Sequence, residues 1–150
     1  MKVTVLVLMS CVLSFSMVAA EQNPYALLIN AKSLKCQFSM GTVGEWTKGK
    51  LEIKEDGIEG SLHFDNINYK SREARLIGNN GSADLTALLT TEAATFIEES
   101  SSGNLIFTSV FPEYKKGTSE FIAVMSRHIN KHYLGGPSPS QLHGLCKVWN

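Results

Sequence analysis

The sequence predicts an all-β domain: an antiparallel meander of about 7–9 strands, closed into a small barrel in preference to a sandwich. Three observations carry that expectation. Short apolar or alternating segments recur about every 8–15 residues, separated by Gly, Asn, Ser and Pro clusters. Some segments are apolar on both faces, as with Phe121, Ala123 and Met125 against Ile122 and Val124, where a sheet with one wet face would alternate cleanly. Cys36 and Cys146 stand near the two ends of the strand region, where the first and last strands of a barrel would meet. The 150 residues suit one domain, and 43% apolar against 19% charged residues is enough to bury a core. Lys and Arg number 14 against 14 Asp and Glu, so there is no basic footprint for nucleic acid.

Residues 1–20 read as a cleaved signal peptide and 21–150 as a single β-barrel-like domain. Lys2 supplies a minimal basic start, residues 3–17 are largely apolar, and Val18-Ala19-Ala20 places small residues before Glu21. The run falls short of the roughly 20 strongly apolar residues of a membrane anchor, so no transmembrane segment is expected in the mature chain. Lipidation at Cys11 is not expected either, because the apolar run continues past it. The expected location is exported, periplasmic or secreted. Loss of Lys2 leaves the mature chain with one more acid than base.

Along the mature chain, residues 24–32, with Ala26-Leu27-Leu28-Ile29, suit a short helix or an extra edge strand. Residues 34–40 form the first strand, stopped by Gly41. Residues 50–54 alternate polar and apolar, and Glu55-Asp56-Gly57 turns the chain. Strands at 61–64 and 73–77 follow, the latter ended by Gly78-Asn79-Asn80-Gly81. Segment 84–97 is ambiguous, because Leu85, Leu88, Leu89, Phe96 and Ile97 recur at helical spacing. Thr86, Thr90, Thr91 and Thr95 lower its helix propensity, so strand is favoured. Ala94–Glu99 and 105–111 form a hairpin across a Ser-rich turn, and 120–127 and 142–148 complete the domain.

Cys11 leaves with the leader, so the mature chain keeps Cys36 and Cys146. An even pair in an oxidising compartment reads as a disulfide. Closing a loop of this length is worth about 4–5 kcal/mol in the chain-entropy model. No Cys-x-x-Cys motif suggests zinc or redox chemistry.

Gly44-Glu45-Trp46 resembles the Gly-x-Trp signature of lipocalins and their calycin relatives, which implies a small calycin-like barrel. In that superfamily a late basic residue covers the tryptophan, and Arg127 holds that place here. Thr47-Lys48-Gly49 departs from the pattern by breaking the strand after Trp46. More broadly, Leu34-Lys35-Cys36, Phe96-Ile97-Glu98, Ser126-Arg127-His128 and the final Ser140-Gln141-Leu142-His143-Gly144-Leu145-Cys146 resemble small exported bacterial proteins of uncharacterised function. That likeness implies no activity.

Arg127 and His128 end an otherwise apolar strand, and charged residues are rarely buried unless paired. Glu98 and Glu99 are the expected partners, and with His143 they would form a polar constellation at one end of the barrel. There Arg127 would either fork onto a carboxylate or phosphate or serve a structural ion pair. His128 and His132 at i, i+4 would share a helix face suited to a transition metal, but the segment follows a strand and runs into Gly135-Gly136-Pro137. Exposed loop histidines are favoured there, and no metal site is expected. No Gly-x-Ser-x-Gly elbow, phosphate loop or dinucleotide fingerprint occurs, so no catalytic residue is assigned, and an enzyme with an unrecognised site stays open as the less favoured reading.

The leading expectation is an exported module that holds a small apolar or amphipathic ligand in or at the mouth of the barrel. Its ligand-binding residues are Arg127, His128, Trp46, Glu98 and His143, with no cofactor. The alternative is an envelope or secreted interaction protein with a solid core and no ligand, which meets a protein partner through its outer surface or an edge strand.

Overall fold

A computed structural model describes residues 23–78, 81–100, 102–116, 118–131 and 136–149. The segment expected to be a signal peptide and His132 lie outside them. The described chain holds one short helix, α1 (Pro24–Asn30), and nine strands: β1 (Leu34–Thr47), β2 (Lys50–Glu55), β3 (Gly60–Asn68), β4 (Glu73–Gly78), β5 (Gly81–Leu89), β6 (Ala94–Glu99), β7 (Leu105–Tyr114), β8 (Phe121–Lys131) and β9 (Gly136–Val148). Strands β3 to β9 pair antiparallel with their sequence neighbours, and β1 closes the sheet by pairing with both β3 and β9. The result is a closed eight-stranded antiparallel barrel with β2 as an extra strand, matching a small calycin-like barrel.

The length of β1 makes this possible. Its 14 residues span roughly 45 Å, enough for two neighbours along one side. Leu34–Phe38 pairs with β3, while Thr42–Thr47 pairs with β2. On its other side β9 runs alongside from Leu34↔Val148 to Val43↔Ser140, with a bulge between Phe38 and Met40. The first strand therefore does not stop at Gly41. A Cβ at Gly41 would collide with Leu142 and the Gln141 carbonyl, and one at Gly144 would collide with the Gln37 carbonyl and the Phe38 ring. Both glycines serve the close approach of β1 and β9. Beyond the barrel β1 and β2 form a hairpin that turns at Lys48 and Gly49 with φ of 51° and 76°, the left-handed pair of a tight two-residue turn.

Alternation sends one side of each strand inward. Leu34, Cys36 and Phe38 of β1, Ala94 and Phe96 of β6, Phe121, Ala123 and Met125 of β8, and Leu142 and Cys146 of β9 are all buried. Phe64 and Phe96 stack with centroids 4.3 Å apart near one end. That end is closed by α1, which Asn23 caps through Tyr25 N and which buries Leu28 completely. The ambiguous segment 84–97 divides into β5 and β6. Thr90 turns the chain between them by accepting from Glu92 N and Ala93 N through Oγ1.

Cys36 and Cys146 are directly opposed across the β1–β9 seam, joined as a disulfide and buried inside the barrel. The outer face of β8 differs from expectation. Nothing covers it fully: Ile122 is 38% exposed and Val124 is half-buried. The apolar residues on both faces of that strand reflect β propensity as well as burial. Among the described residues no helix is long and apolar enough to cross a membrane.

Replacing Gly144 with Ala forces a methyl group against the Gln37 carbonyl and the Phe38 ring. It should destabilise the protein by about 1–3 kcal/mol, read as a lower denaturant midpoint at unchanged m-value.

Candidate functional site

The end of the barrel opposite α1 carries the polar groups. The inward alternation of β8 that buries Phe121, Ala123 and Met125 brings Arg127 inward next. On β9 the same alternation brings Ser140 opposite Arg127, and Arg127 Nε donates to Ser140 Oγ at 2.8 Å. Arg127 Nη2 donates to Asp56 Oδ2 at 2.5 Å, with side chains only 13% and 6% exposed. This is a charge-assisted pair largely out of water. Asp56 follows β2 and is fixed by its own backbone: its N–H donates to the Gly41 carbonyl, and its Oδ1 accepts from Ile58 N. The connection 56–59 is thereby drawn onto the barrel mouth.

Beneath it lies a cavity of about 200 Å³. Its walls are apolar, from Phe38, Leu62, Ile106, Met125 and Leu142, with Ile58 contributed by the connection. Two ionisable groups break this apolar lining, Arg127 and Glu98. Glu98 shares the inward parity of Ala94 and Phe96 on β6. The register aligns Glu98 with Ile106, Ile106 with Arg127, and Arg127 with Ser140, a single row across four strands. Two strand spacings, about 9–10 Å, thus separate the backbones of Glu98 and Arg127, and Ile106 stands between them. Glu98 has no hydrogen bond or ion pair among the described residues. Burial pushes its carboxyl above the ordinary 4.5.

Of the residues expected at this site, Arg127 and Glu98 share the cavity. The partner of Arg127 is neither Glu98 nor Glu99 but Asp56. Glu99, one residue on, is exposed, since adjacent strand residues face opposite ways. His128 faces outward, opposite Leu105 and Pro139, with its ring 5.5 Å from Phe107. His143 is exposed opposite Met40 and Val124. Trp46 stands on the β1–β2 hairpin, 46% exposed, and the Arg127 guanidinium is engaged elsewhere. Among the described residues no group of three or more His, Cys, Asp or Glu side chains could hold a metal ion.

Sequence reasoning missed Asp56, Ser140 and Ile58. Asp56 lies in Glu55-Asp56-Gly57, which reads as a turn, and nothing local ties it to a residue 71 positions away. The alternation Pro137-Ser138-Pro139-Ser140 was the one available signal of an inward polar strip. Ser138 Oγ is buried there without a partner among the described residues.

Compared with protein-family models, with curated proteins and with solved structures, the chain matches none. Function therefore has to be argued from the site, because a barrel of this type hosts many unrelated activities.

Two outcomes follow from this geometry. Asp56→Ala strands the Arg127 guanidinium and should cost about 3–5 kcal/mol, while Asp56→Leu combined with Arg127→Met should recover most of the loss in the same denaturation assay. Glu98 holds its proton to higher pH in the folded than in the unfolded state, so stability falls as pH rises from 4.5 through its folded value. Glu98→Gln should therefore be more stable than the parent at pH 7, and the difference should vanish below about pH 4.

Proposed function

We propose that this chain is an exported binding module that takes a small apolar group with a hydrogen-bond-donating head into the mouth of its barrel. The observation that carries this reading is Glu98, an unpartnered acid on the wall of an otherwise apolar cavity. A partly buried carboxyl group without a partner is costly to ionise, and a donor arriving with a ligand removes that cost. Arg127 favours the same head group by default. Its charge is already balanced by Asp56, so an incoming anion would meet Asp56 and Glu98 with one shared cation. The fork onto a carboxylate or phosphate expected of Arg127 is thus replaced by a positioning role: with Ser140 and Asp56 it holds the wall and the connection over the cavity.

Size narrows the ligand further. A dry cavity of roughly 150 Å³ accepts a benzene-sized molecule, whereas pockets for drug-sized ligands run from roughly 300 Å³ upward. At about 200 Å³ the mouth itself suits one ring or a short branched chain, and a neighbouring groove of about 430 Å³ shares Gly60, Leu62 and Glu98 with it.

The test is a titration of the oxidised protein with benzylamine, benzyl alcohol and benzoate, followed by ¹⁵N–¹H NMR. The amine and alcohol should shift the amides of β6 and β8 around Glu98 and Arg127, with benzoate at least tenfold weaker. Glu98→Gln should weaken benzylamine by roughly 10- to 100-fold. Benzoate binding as well as the amine, or an indifferent Glu98→Gln variant, would sink the reading. A second reading, contact with another protein, draws on a different observation: Leu51 and Ile53 are 51% and 66% exposed beside Trp46 on one face of the hairpin.

A further inference from the structure

We propose that two copies of this chain pair through their β2 strands, antiparallel about a two-fold axis at Ile53, to make a continuous β1–β2–β2–β1 sheet. β2 stands at the open end of the strand order. Its one neighbour among the described residues is β1, and all six of its residues are exposed. Such an edge presents a row of unpaired N–H and C=O groups and is a template for another strand.

The sequence of β2 says which strand fits. In an antiparallel pair, directly opposed residues must both point their backbone groups across the seam or both point away. When a strand pairs with its own copy, only residues of equal parity can therefore face one another. Among those registers, the one with Glu52 opposite Glu52 also sets Lys50 opposite Lys54, and both pairings repel. Moving the axis to Ile53 sets Glu52 opposite Lys54 of the second copy, twice by symmetry, and Ile53 against Ile53. Moving it to Leu51 pairs Lys50 with Glu52 but carries the overlap into the Lys48-Gly49 turn, which is not extended. The Ile53 register keeps residues 51–55 paired throughout.

The two faces of the hairpin agree with this choice. Trp46 is opposed to Leu51 and Gly44 to Ile53 on one face, where Leu51 and Ile53 close over Gly44 and Pro139. Pairing at Ile53 sets Ile53 against Ile53 at the centre of that face, with Leu51 of each copy opposite Glu55 of the other. On the other face Glu45 and Glu52 are directly opposed like charges, bridged by Lys54 at 2.8 and 3.5 Å. The second copy's Lys54 would bring a further cation to Glu52.

Charge exchange tests the register itself. Sedimentation velocity of the oxidised protein over roughly 10–500 µM should show a reversible dimer for the parent. Glu52→Lys alone and Lys54→Glu alone should each weaken self-association at least about tenfold, because each sets like charges opposite one another twice. Mixing the two single variants should restore the dimer, since lysines of one copy then face glutamates of the other. The double exchange Glu52→Lys with Lys54→Glu should also self-associate. Both positions are exposed, so unchanged thermal melts will separate these effects from misfolding. A parent that stays monomeric throughout overturns the proposal and leaves the edge to a strand of another protein. A Lys54→Glu variant that dimerises like the parent overturns it as well.

Discussion

Everything in this fold depends on how closely β1 and β9 can approach. A meander of eight strands has two free edges, and each would expose a ladder of unpaired backbone groups. Here the edges meet each other. The meeting is demanding because inward side chains from both strands compete for the same space along the seam. Gly41 and Gly144 relieve that competition by offering no side chain, and Phe38 fills the space over Gly144. The Cys36–Cys146 bond then holds the same seam covalently. Without that closure Glu98, Ile106 and Arg127 would not share one cavity, since they stand on adjacent strands and only curvature turns them toward a common interior.

The asymmetry of the barrel follows from what reaches each end. At the α1 end four large apolar side chains, Leu28, Phe64, Phe96 and Phe121, are each at most 2% exposed. At the other end the strands carry serine, arginine and glutamate where a solid core would carry leucine or valine. The Asp56–Arg127 pair keeps that end from collapsing or gaping, because a largely desolvated ion pair tolerates little displacement of either partner. It also recruits the β2–β3 connection as part of the wall. A loop that reads as a simple turn thus becomes a component of the candidate site.

Strand number, order and type were legible because alternation and turn residues are local signals. The Thr-rich segment 84–97 resolved as β5 and β6 for the reason its threonines supply, a stiff χ1 that suits a pleated sheet. The first strand was cut short because Gly41 carries two meanings, breaker and close-approach residue, and only the neighbour decides between them. The site was half legible. Arg127 and Glu98 stood out as charges on apolar strands, whereas Asp56 did not, since its partner is set by how the connection folds back and not by any period. His128, His143 and Trp46 were grouped with them by sequence proximity or family likeness, and parity alone places His128 outside the barrel.

The disulfide gives the molecule a sense of time. Cys36 belongs to the first strand and Cys146 to the last, 110 residues later. Their native opposition spans the β1–β9 seam, so the bond locks the closed barrel and not any smaller part of it. A contact this distant in sequence is among the slowest to be made. Native pairing of these two cysteines is therefore a mark of a closed seam. Once made, the bond is enclosed by the barrel it completes, and a reductant reaches it only by opening the seam.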